Sequence, residues 1–203
     1  MTKILIGLRI RNRMCVLKKL FSALFLLIVL AALYWAYQVY IGGNFHTVID
    51  GELYRSAQPT AADIRKYQEK YGIKTIINMR GQRPGKDWYE DEIKTSTKLG
   101  IVHYDWAFSS TLKTPLTHMD HVMWLMKNAE KPILIHCMAG ADRTGLGVAV
   151  YLYGIKNIPA KEAKNRALSV IYGYFPYLWS ETDSIGESFD KFARADKKGR
   201  GLK

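Results

Sequence analysis

The sequence predicts an α/β domain with a central, mostly parallel sheet flanked by helices, preceded by one N-terminal transmembrane helix. The domain is predicted because short apolar, β-rich runs alternate with helical segments between residues 45 and 195. The membrane helix is predicted because residues 20–41 form a run of 22 residues without a charged side chain. The length of 203 residues suits one domain of ordinary size with an N-terminal appendage.

The uncharged run is long enough to cross a bilayer, since a helix rises about 1.5 Å per residue and the hydrocarbon core is about 30 Å thick. Six Lys and Arg residues precede it and none lies between Ile41 and Arg55, which predicts a cytoplasmic N-terminus and a domain on the opposite side. A cleaved signal peptide and a buried core helix are the alternatives. Cleavage is disfavoured by the bulky end of the run, which carries the aromatics typical of a membrane interface: Tyr34, Trp35, Tyr37 and Tyr40.

The net charge of +12 is concentrated at the two ends of the chain. The predicted organisation is a basic N-terminus (1–19), a membrane helix (20–41), a domain (45–195) and a basic tail (196–203). Basic and aromatic residues do not interleave as in nucleic-acid-binding modules, so no nucleic-acid partner is expected. The chain has two cysteines, Cys15 and Cys137, too few for a disulfide framework.

The first half of the domain is predicted as two strands, a helix and a third strand. Val48–Ile49 and Leu53–Arg55 have the composition of strands that flank a turn. A sequence resembling a capping box, Thr60–Asp63, starts a helix that stops at Gly72. Residues 74–79 form the next predicted strand.

The second half repeats this alternation. Residues 87–99 are predicted as a helix whose first turn is acidic (Asp87, Glu90, Asp91 and Glu92), which complements the helix dipole. Residues 101–105 form a strand, and Thr114 is the predicted cap of a helix with Pro115 at its first position. The last elements are a strand at 132–135, helices at 145–155, 161–172 and about 182–195, and an aromatic loop at 173–179.

One stretch, His136–Gly145, joins a buried strand to a helix N-terminus. Unpaired backbone N–H groups and the helix dipole make that N-terminus a favourable anion site, and the same field stabilises the thiolate form of Cys137. Arg143 has a planar fork that can bind two phosphate oxygens at once. Thr144 can donate its hydroxyl to the sulfur, which would make sulfur a better leaving group.

The sequence His-Cys-Met-Ala-Gly-Ala-Asp-Arg-Thr-Gly resembles the signature of the cysteine-dependent protein tyrosine phosphatase superfamily, in its small dual-specificity branch. Arg55–Pro59 and Asn78–Gly81 also resemble segments of this branch, so the resemblance covers about residues 45–195. It implies the dual-specificity phosphatase fold and hydrolysis of phosphomonoesters through a cysteinyl-phosphate intermediate, without a metal or other cofactor. With the predicted orientation, it also suggests a bacterial inner-membrane protein with a periplasmic domain.

The resemblance assigns roles to residues of the stretch. Cys137, Arg143 and Thr144 are the expected catalytic residues, and Gly145 and His136 are expected to support the backbone. Phosphate is expected to bind to Met138, Ala139, Gly140, Ala141, Asp142 and Arg143. The structural alternative is a buried free cysteine beside a surface arginine.

Two further arginines are weaker candidates. Arg80 is a candidate for supporting the loop from a neighbouring strand, with an ion-paired edge residue as the equal alternative. Arg55 could position the loop or the substrate, but an ordinary surface or structural arginine is favoured.

Release of an alkoxide or phenoxide from a phosphate ester needs a proton donor. In related enzymes the donor is an aspartate after the strand that precedes the catalytic strand, and Asp105 fits by order; its alternative role is to cap the loop. Asp142, inside the stretch, is the rival donor, whereas Asp120 is expected to face water. His118 and His121 lack a third ligand, so no metal site is expected.

The leading functional hypothesis is a phosphatase of the protein tyrosine or dual-specificity type acting on phosphorylated protein. A phospholipid headgroup phosphatase, with a substrate such as phosphatidylglycerophosphate, is the main alternative because of the membrane helix and basic flanks. A non-catalytic phosphate-binding module is a third, opposed by the intact Cys137, Arg143 and Thr144.

Overall fold

The computed structural model describes residues 2–176 and 183–195; within its first helix, side chains are described for Met14 and from Leu17 onward. The chain divides into two compact units, Met1–Gln38 and Val39–Lys203. Helix α1 (Thr2–Tyr40) is continuous, and its part Leu17–Tyr40 is long and apolar enough to cross a membrane, with a mean hydropathy of 2.2. The position of the bilayer and the four-part division of the chain stay predictions.

The second unit contains a five-stranded sheet in the order β1-β2-β5-β3-β4. Its strands are β1 (His46–Ile49), β2 (Leu53–Ser56), β3 (Thr75–Asn78), β4 (Val102–Asp105) and β5 (Ile133–His136). β1 runs antiparallel to β2, and the other pairs are parallel. The predicted mostly parallel α/β fold is therefore confirmed.

Six helices and one 3-10 helix complete the described part of this unit. The helices are α2 (Ala61–Tyr71), α3 (Asp87–Lys98), α4 (Leu116–Asn128), α5 (Asp142–Gly154), α6 (Ala160–Ala167) and α7 (Ser184–Ala195), and the 3-10 helix is Val170–Tyr172. The capping box at Thr60 and the left-handed stop at Gly72 are both present.

The sheet has a core on each face because successive strand residues point in opposite directions. On one face Leu53, Ile77 and Ile135 pack with residues of α4, α5 and α7. On the other face Tyr54, Ile76 and Leu134 pack with Ile64 and Tyr67 of α2. β5 lies in the middle and is buried along its whole length, which fixes the position of the residue that follows it.

The predicted starts of two helices were wrong. Pro115, not Thr114, is the cap residue of α4, and the Thr114 N–H is instead bound by Ser188 Oγ at 2.8 Å. α5 begins at Asp142 rather than at Gly145, because the Gly145 N–H already bonds to the Ala141 carbonyl at 2.9 Å.

The predicted helix 161–172 is interrupted. α6 ends at Ala167, and the chain continues as the 3-10 helix after Leu168 and Ser169. Residues 177–182, which include part of the predicted aromatic loop and the start of the predicted last helix, lie outside the described residues, as does the basic tail.

Candidate active site

The candidate site is the loop that follows β5 together with the first two residues of α5, residues 137–143, called the cysteine loop below. Cys137 follows the last residue of β5, is only 2% exposed, and its Sγ accepts a hydrogen bond from the Gly140 N–H at 3.3 Å. Gly140 has a φ of +74°, and a Cβ there would lie 2.6 Å from the Ser56 carbonyl oxygen. Only glycine fits this tight turn, which holds the thiol beneath the N-terminus of α5.

The first turn of α5 contains polar groups without partners. Arg143 Nε and Thr144 Oγ1 are both buried, and neither has a hydrogen-bond partner among the described residues. Buried polar groups are rarely left unpaired, so such groups beside a thiol call for an explanation. A bound oxyanion would give Arg143 Nε a partner.

Arg55 of β2 holds the cysteine loop from behind. Its guanidinium is fully buried and donates to the carbonyl oxygens of Gly140 at 2.7 Å, Ala141 at 3.3 Å and Ala167 at 2.7 Å. It also stacks on Tyr172, 3.9 Å from the ring centroid. Burial lowers the pKa of Arg55 to about 10, so it remains charged at neutral pH. Arg55 therefore positions the loop, which was the less favoured of the two interpretations from the sequence.

Asn44 holds the loop from a second direction and was not recognised from the sequence. It is 1% exposed, and its Nδ2 donates to the Ala139 carbonyl at 2.8 Å and to the Tyr172 carbonyl at 2.9 Å. Its φ of +46° is one that Asn tolerates better than most residues. An Asn that follows two glycines gives no sign in sequence of a partner 95 positions away.

A buried network centred on Glu92 fixes the residue before the cysteine. Glu92 Oε1 accepts hydrogen bonds from His136 Nε2 at 2.8 Å and His103 Nε2 at 2.7 Å, and Oε2 accepts one from Gln58 Nε2. Although burial opposes ionisation, His136 and His103 hold the pKa of Glu92 well below its usual range. The expected role of His136 in supporting the loop backbone stays a prediction. The assignment of Glu92 to an acidic first turn was wrong, because α3 begins at Asp87 and Glu92 lies beyond its first turn.

Replacing Glu92 with Gln should lower the free energy of unfolding by about 3 kcal/mol at neutral pH, because two imidazoles lose their buried ionic acceptor. The folded-state pKa of Glu92 is lowered from 4.5, so its contribution is present above that pH and is lost as the pH falls further. The stability of the variant should therefore decline less than that of the native protein below this pH. Urea unfolding at several pH values measures both effects, and Asp91→Asn, at an exposed position on the same helix, is the matched control. Equal losses in the two variants would contradict this role of Glu92.

Comparisons with known proteins decide the family. The family model described as a DSP-PTPase phosphatase fused to NAD+ kinase matches residues 40–172, more than half of the chain. The chain belongs to this family. The resemblance stated from the sequence is thereby confirmed.

A relative of known family is similar to part of the chain. The probable dual specificity protein phosphatase H1 homolog of fowlpox virus (strain NVSL) is 32% identical over 98 residues, which cover 46% of this chain and 52% of that protein. The chain thus spans about half the length of this relative.

Solved structures show the same fold at low identity. PTPMT1 in complex with PI(5)P has a TM-score of 0.61 and 18% identity, covering 76% of this chain and 97% of that one. A Cys-to-Ser variant of TpbA from P. aeruginosa in complex with pTyr has a TM-score of 0.59 and 19% identity, covering 78% and 93%.

In this DSP-PTPase domain the two candidate acids have different surroundings. Asp105 ends β4, and its two oxygens accept hydrogen bonds from Asn78 Nδ2 at 2.8 Å and Tyr89 Oη at 2.6 Å. It therefore connects β3, β4 and α3. Asp142 lies in the cysteine loop itself, at the start of α5. Burial raises the pKa of Asp142, against the opposing influence of Arg143.

Arg80 adds a second positive charge beside the cysteine loop of the DSP-PTPase domain. Its Nη1 donates to Gln58 Oε1 at 2.8 Å, and its guanidinium stacks on Trp88, 3.6 Å from the ring centroid. The Gln58 N–H in turn bonds to the Met138 carbonyl at 3.1 Å. Partial burial and the nearby charge of Arg143 lower the pKa of Arg80. Arg80 thus lies at the site and makes no edge ion pair among the described residues.

The two histidines that were considered as metal ligands lie on α4. His121 stacks on Trp106 with ring centroids 3.9 Å apart, and His118 lies at 5.5 Å from the same ring. No group of three or more His, Cys, Asp or Glu residues suited to a metal occurs among the described residues.

Proposed function

We propose that the domain hydrolyses phosphomonoesters through a covalent cysteinyl-phosphate on Cys137. The observation that carries this proposal is the pair of buried, unpartnered donors, Arg143 Nε and Thr144 Oγ1, beside a buried thiol in a loop held by Arg55. Membership of the DSP-PTPase family supports it. Phosphate release from para-nitrophenyl phosphate by the purified full chain is the direct test, and a protein without turnover would refute the proposal.

In the first step the Cys137 thiolate attacks phosphorus, and the bond between phosphorus and the ester oxygen breaks in line. Arg143 and the N–H groups of the loop stabilise the equatorial oxygens, where negative charge is concentrated. A protonated carboxyl delivers its proton to the leaving oxygen. In the second step this carboxylate takes a proton from water, the water oxygen bonds to phosphorus, and the S–P bond breaks. The Thr144 hydroxyl stabilises the departing thiolate, and inorganic phosphate leaves.

We assign the proton donor to Asp142 rather than Asp105. A general acid must be protonated at the working pH, and burial raises the pKa of Asp142 toward that condition. Asp105 has both oxygens engaged by Asn78 and Tyr89, so proton delivery would require these bonds to break. In this assignment Asp105 is a structural hydrogen-bond acceptor at the end of β4.

The Asp142→Asn variant should lose about 10³-fold in kcat/KM on an alkyl phosphate, because an alkoxide cannot leave without a proton. On para-nitrophenyl phosphate the loss should be much smaller, since nitrophenolate leaves unprotonated. Asp105→Asn is the matched comparison and should reduce stability without changing this dependence on the leaving group. If Asp105→Asn alone produced the dependence, the assignment would be reversed.

We also propose that α1 anchors the protein in a bacterial inner membrane with the domain in the periplasm. The apolar segment Leu17–Tyr40 and the basic residues before it support this orientation. Protease added to intact spheroplasts should digest the domain, whereas protection until the membrane is broken would contradict the orientation.

A further inference from the structure

Residues 39–44, at the end of the apolar segment and just after it, contact residues next to the cysteine loop. Val39 is buried, and Gly173, just after the 3-10 helix, lies so close that a Cβ there would be 2.7 Å from Val39 Cγ1. The Gly43 carbonyl accepts a hydrogen bond from the Ala57 N–H at 2.8 Å. The segment between them therefore has little freedom to extend away from the domain.

Asn44 completes the attachment. Through its bond to the Ala139 carbonyl, it reaches a residue two positions from Cys137. Only four peptide steps separate Asn44 from Tyr40, the last residue of the apolar segment, and four steps span at most about 14 Å. The part of the domain that bonds to the cysteine loop is thus separated by only a short stretch of chain from Tyr40.

This short stretch of chain keeps the cysteine loop near the headgroup region of a bilayer. Each headgroup layer is about 5 to 8 Å thick, and the aromatic end of the apolar segment is typical of the interface. With Tyr40 at the interface, the cysteine loop lies in or directly above the headgroup layer. Phosphate groups of lipids occupy this same layer.

Apolar side chains are exposed around this attachment. Met138 of the cysteine loop is 62% exposed, and Val170 and Ile171 of the 3-10 helix are 56% and 58% exposed. Asn44 bonds to the backbone of both elements, through Ala139 and Tyr172. Ile41, next to the anchor, is exposed as well. Exposed apolar side chains around this part of the domain fit a lipid interface better than they fit water.

We propose that the substrate is the phosphomonoester headgroup of a lipid in the leaflet from which the anchor emerges. The inference depends on the proposed phosphatase activity and on the anchor. Because the attachment is short, the headgroups of the same bilayer have a high effective concentration at the loop. Bulky phosphoproteins, in contrast, have little room to reach it. Arg143 and Arg80 supply the positive charge that meets the headgroup.

The test uses the full chain reconstituted in phosphatidylcholine vesicles that contain phosphatidylglycerophosphate. Lipid in the same vesicles should be hydrolysed about 10²-fold faster than the same lipid in separate vesicles. Free glycerol phosphate and a phosphotyrosine peptide, added to the same vesicles, should be poorer substrates than the embedded lipid. Equal rates for lipid in the same and in separate vesicles, or a faster rate on the peptide or on glycerol phosphate, would overturn the proposal.

A linker insertion separates the effect of the attachment from catalysis. Twenty Gly and Ser residues between Gln38 and Val39 would leave the Val39–Asn44 contacts intact but move the domain away by about 25 Å on average. The preference for lipid in the same vesicle should fall at least 10-fold, roughly the effect of a long linker on effective concentration. Turnover of para-nitrophenyl phosphate should not change.

The matched control carries the same insertion between Val16 and Leu17, on the other side of the apolar segment, and should keep the native preference. An unchanged preference in the Gln38–Val39 variant would refute the inference while leaving the proposed function intact. Absence of para-nitrophenyl phosphate turnover in the native chain would instead refute the proposed function.

Discussion

The Cys137→Ser variant should release phosphate on the order of 10⁵-fold more slowly than the native protein, or not measurably, the scale of loss when an enzyme's nucleophile is removed. Sulfur ionises far more readily than a serine hydroxyl, and the hydrogen bond to Cys137 Sγ comes from the N–H of Gly140, which cannot act as a base. Release of phosphate from para-nitrophenyl phosphate, followed over hours, measures this loss.

The substitution is nearly isosteric, so the variant should keep the native unfolding transition and still bind phosphate. Cys15→Ser removes the other cysteine of the chain and should retain full activity. Substantial turnover by Cys137→Ser would show that the chemistry does not use this sulfur.

The Arg143→Lys variant should lose about 10³-fold in kcat/KM, a typical cost of removing a group that stabilises transition-state charge. Lysine keeps the positive charge but lacks the planar fork that binds two phosphate oxygens. Arg143 Nε has no partner among the described residues, so the free energy of unfolding should change little. Steady-state kinetics combined with urea unfolding distinguishes a role in binding the transition state from a role in the fold.

Arg83→Lys provides the control, because Arg83 is exposed and its Nη1 contacts only the neighbouring Gln82 carbonyl among the hydrogen bonds described. It should have native kinetics. A large loss of stability in Arg143→Lys with kcat/KM preserved would assign Arg143 to the structure rather than to phosphate.

The cysteine loop could be predicted from the sequence because the residues that define it are close together in the chain. A buried strand, a cysteine, an inner glycine and an arginine at fixed spacing specify a strand, a loop and a helix N-terminus within ten residues. The strands were recognised for a similar reason, since each is a short apolar run bounded by turn residues.

The residues that support the loop could not be found in this way. Glu92 lies on a helix of mostly polar sequence, where a carboxylate predicts exposure, and its buried partner His136 is 44 positions away. Arg55 reaches a carbonyl 85 positions away. Such pairings follow from the packing of the whole sheet and leave no periodic pattern in the chain.

Two boundaries were misplaced for a different reason. Thr114 has the residue type of a helix cap, but Ser188 of α7 binds its N–H, and the helix begins after Pro115. The side-chain oxygen of Thr114, which would have to accept the capping hydrogen bond, has no partner among the described residues, so the local preference is not realised. The start of α5 at Asp142 matters for the proposed mechanism. It places Asp142 and Arg143 in the first turn of the helix, beside the bound phosphate.

The central claim is that phosphate passes through a covalent bond to Cys137. The most direct measurement is rapid quench of the native protein with a phosphomonoester substrate, followed by mass spectrometry of the peptide that contains Cys137. The account predicts one phosphoryl group on this peptide, formed at least as fast as the steady-state turnover. Continued turnover with Cys137 unmodified at every quench time would contradict it.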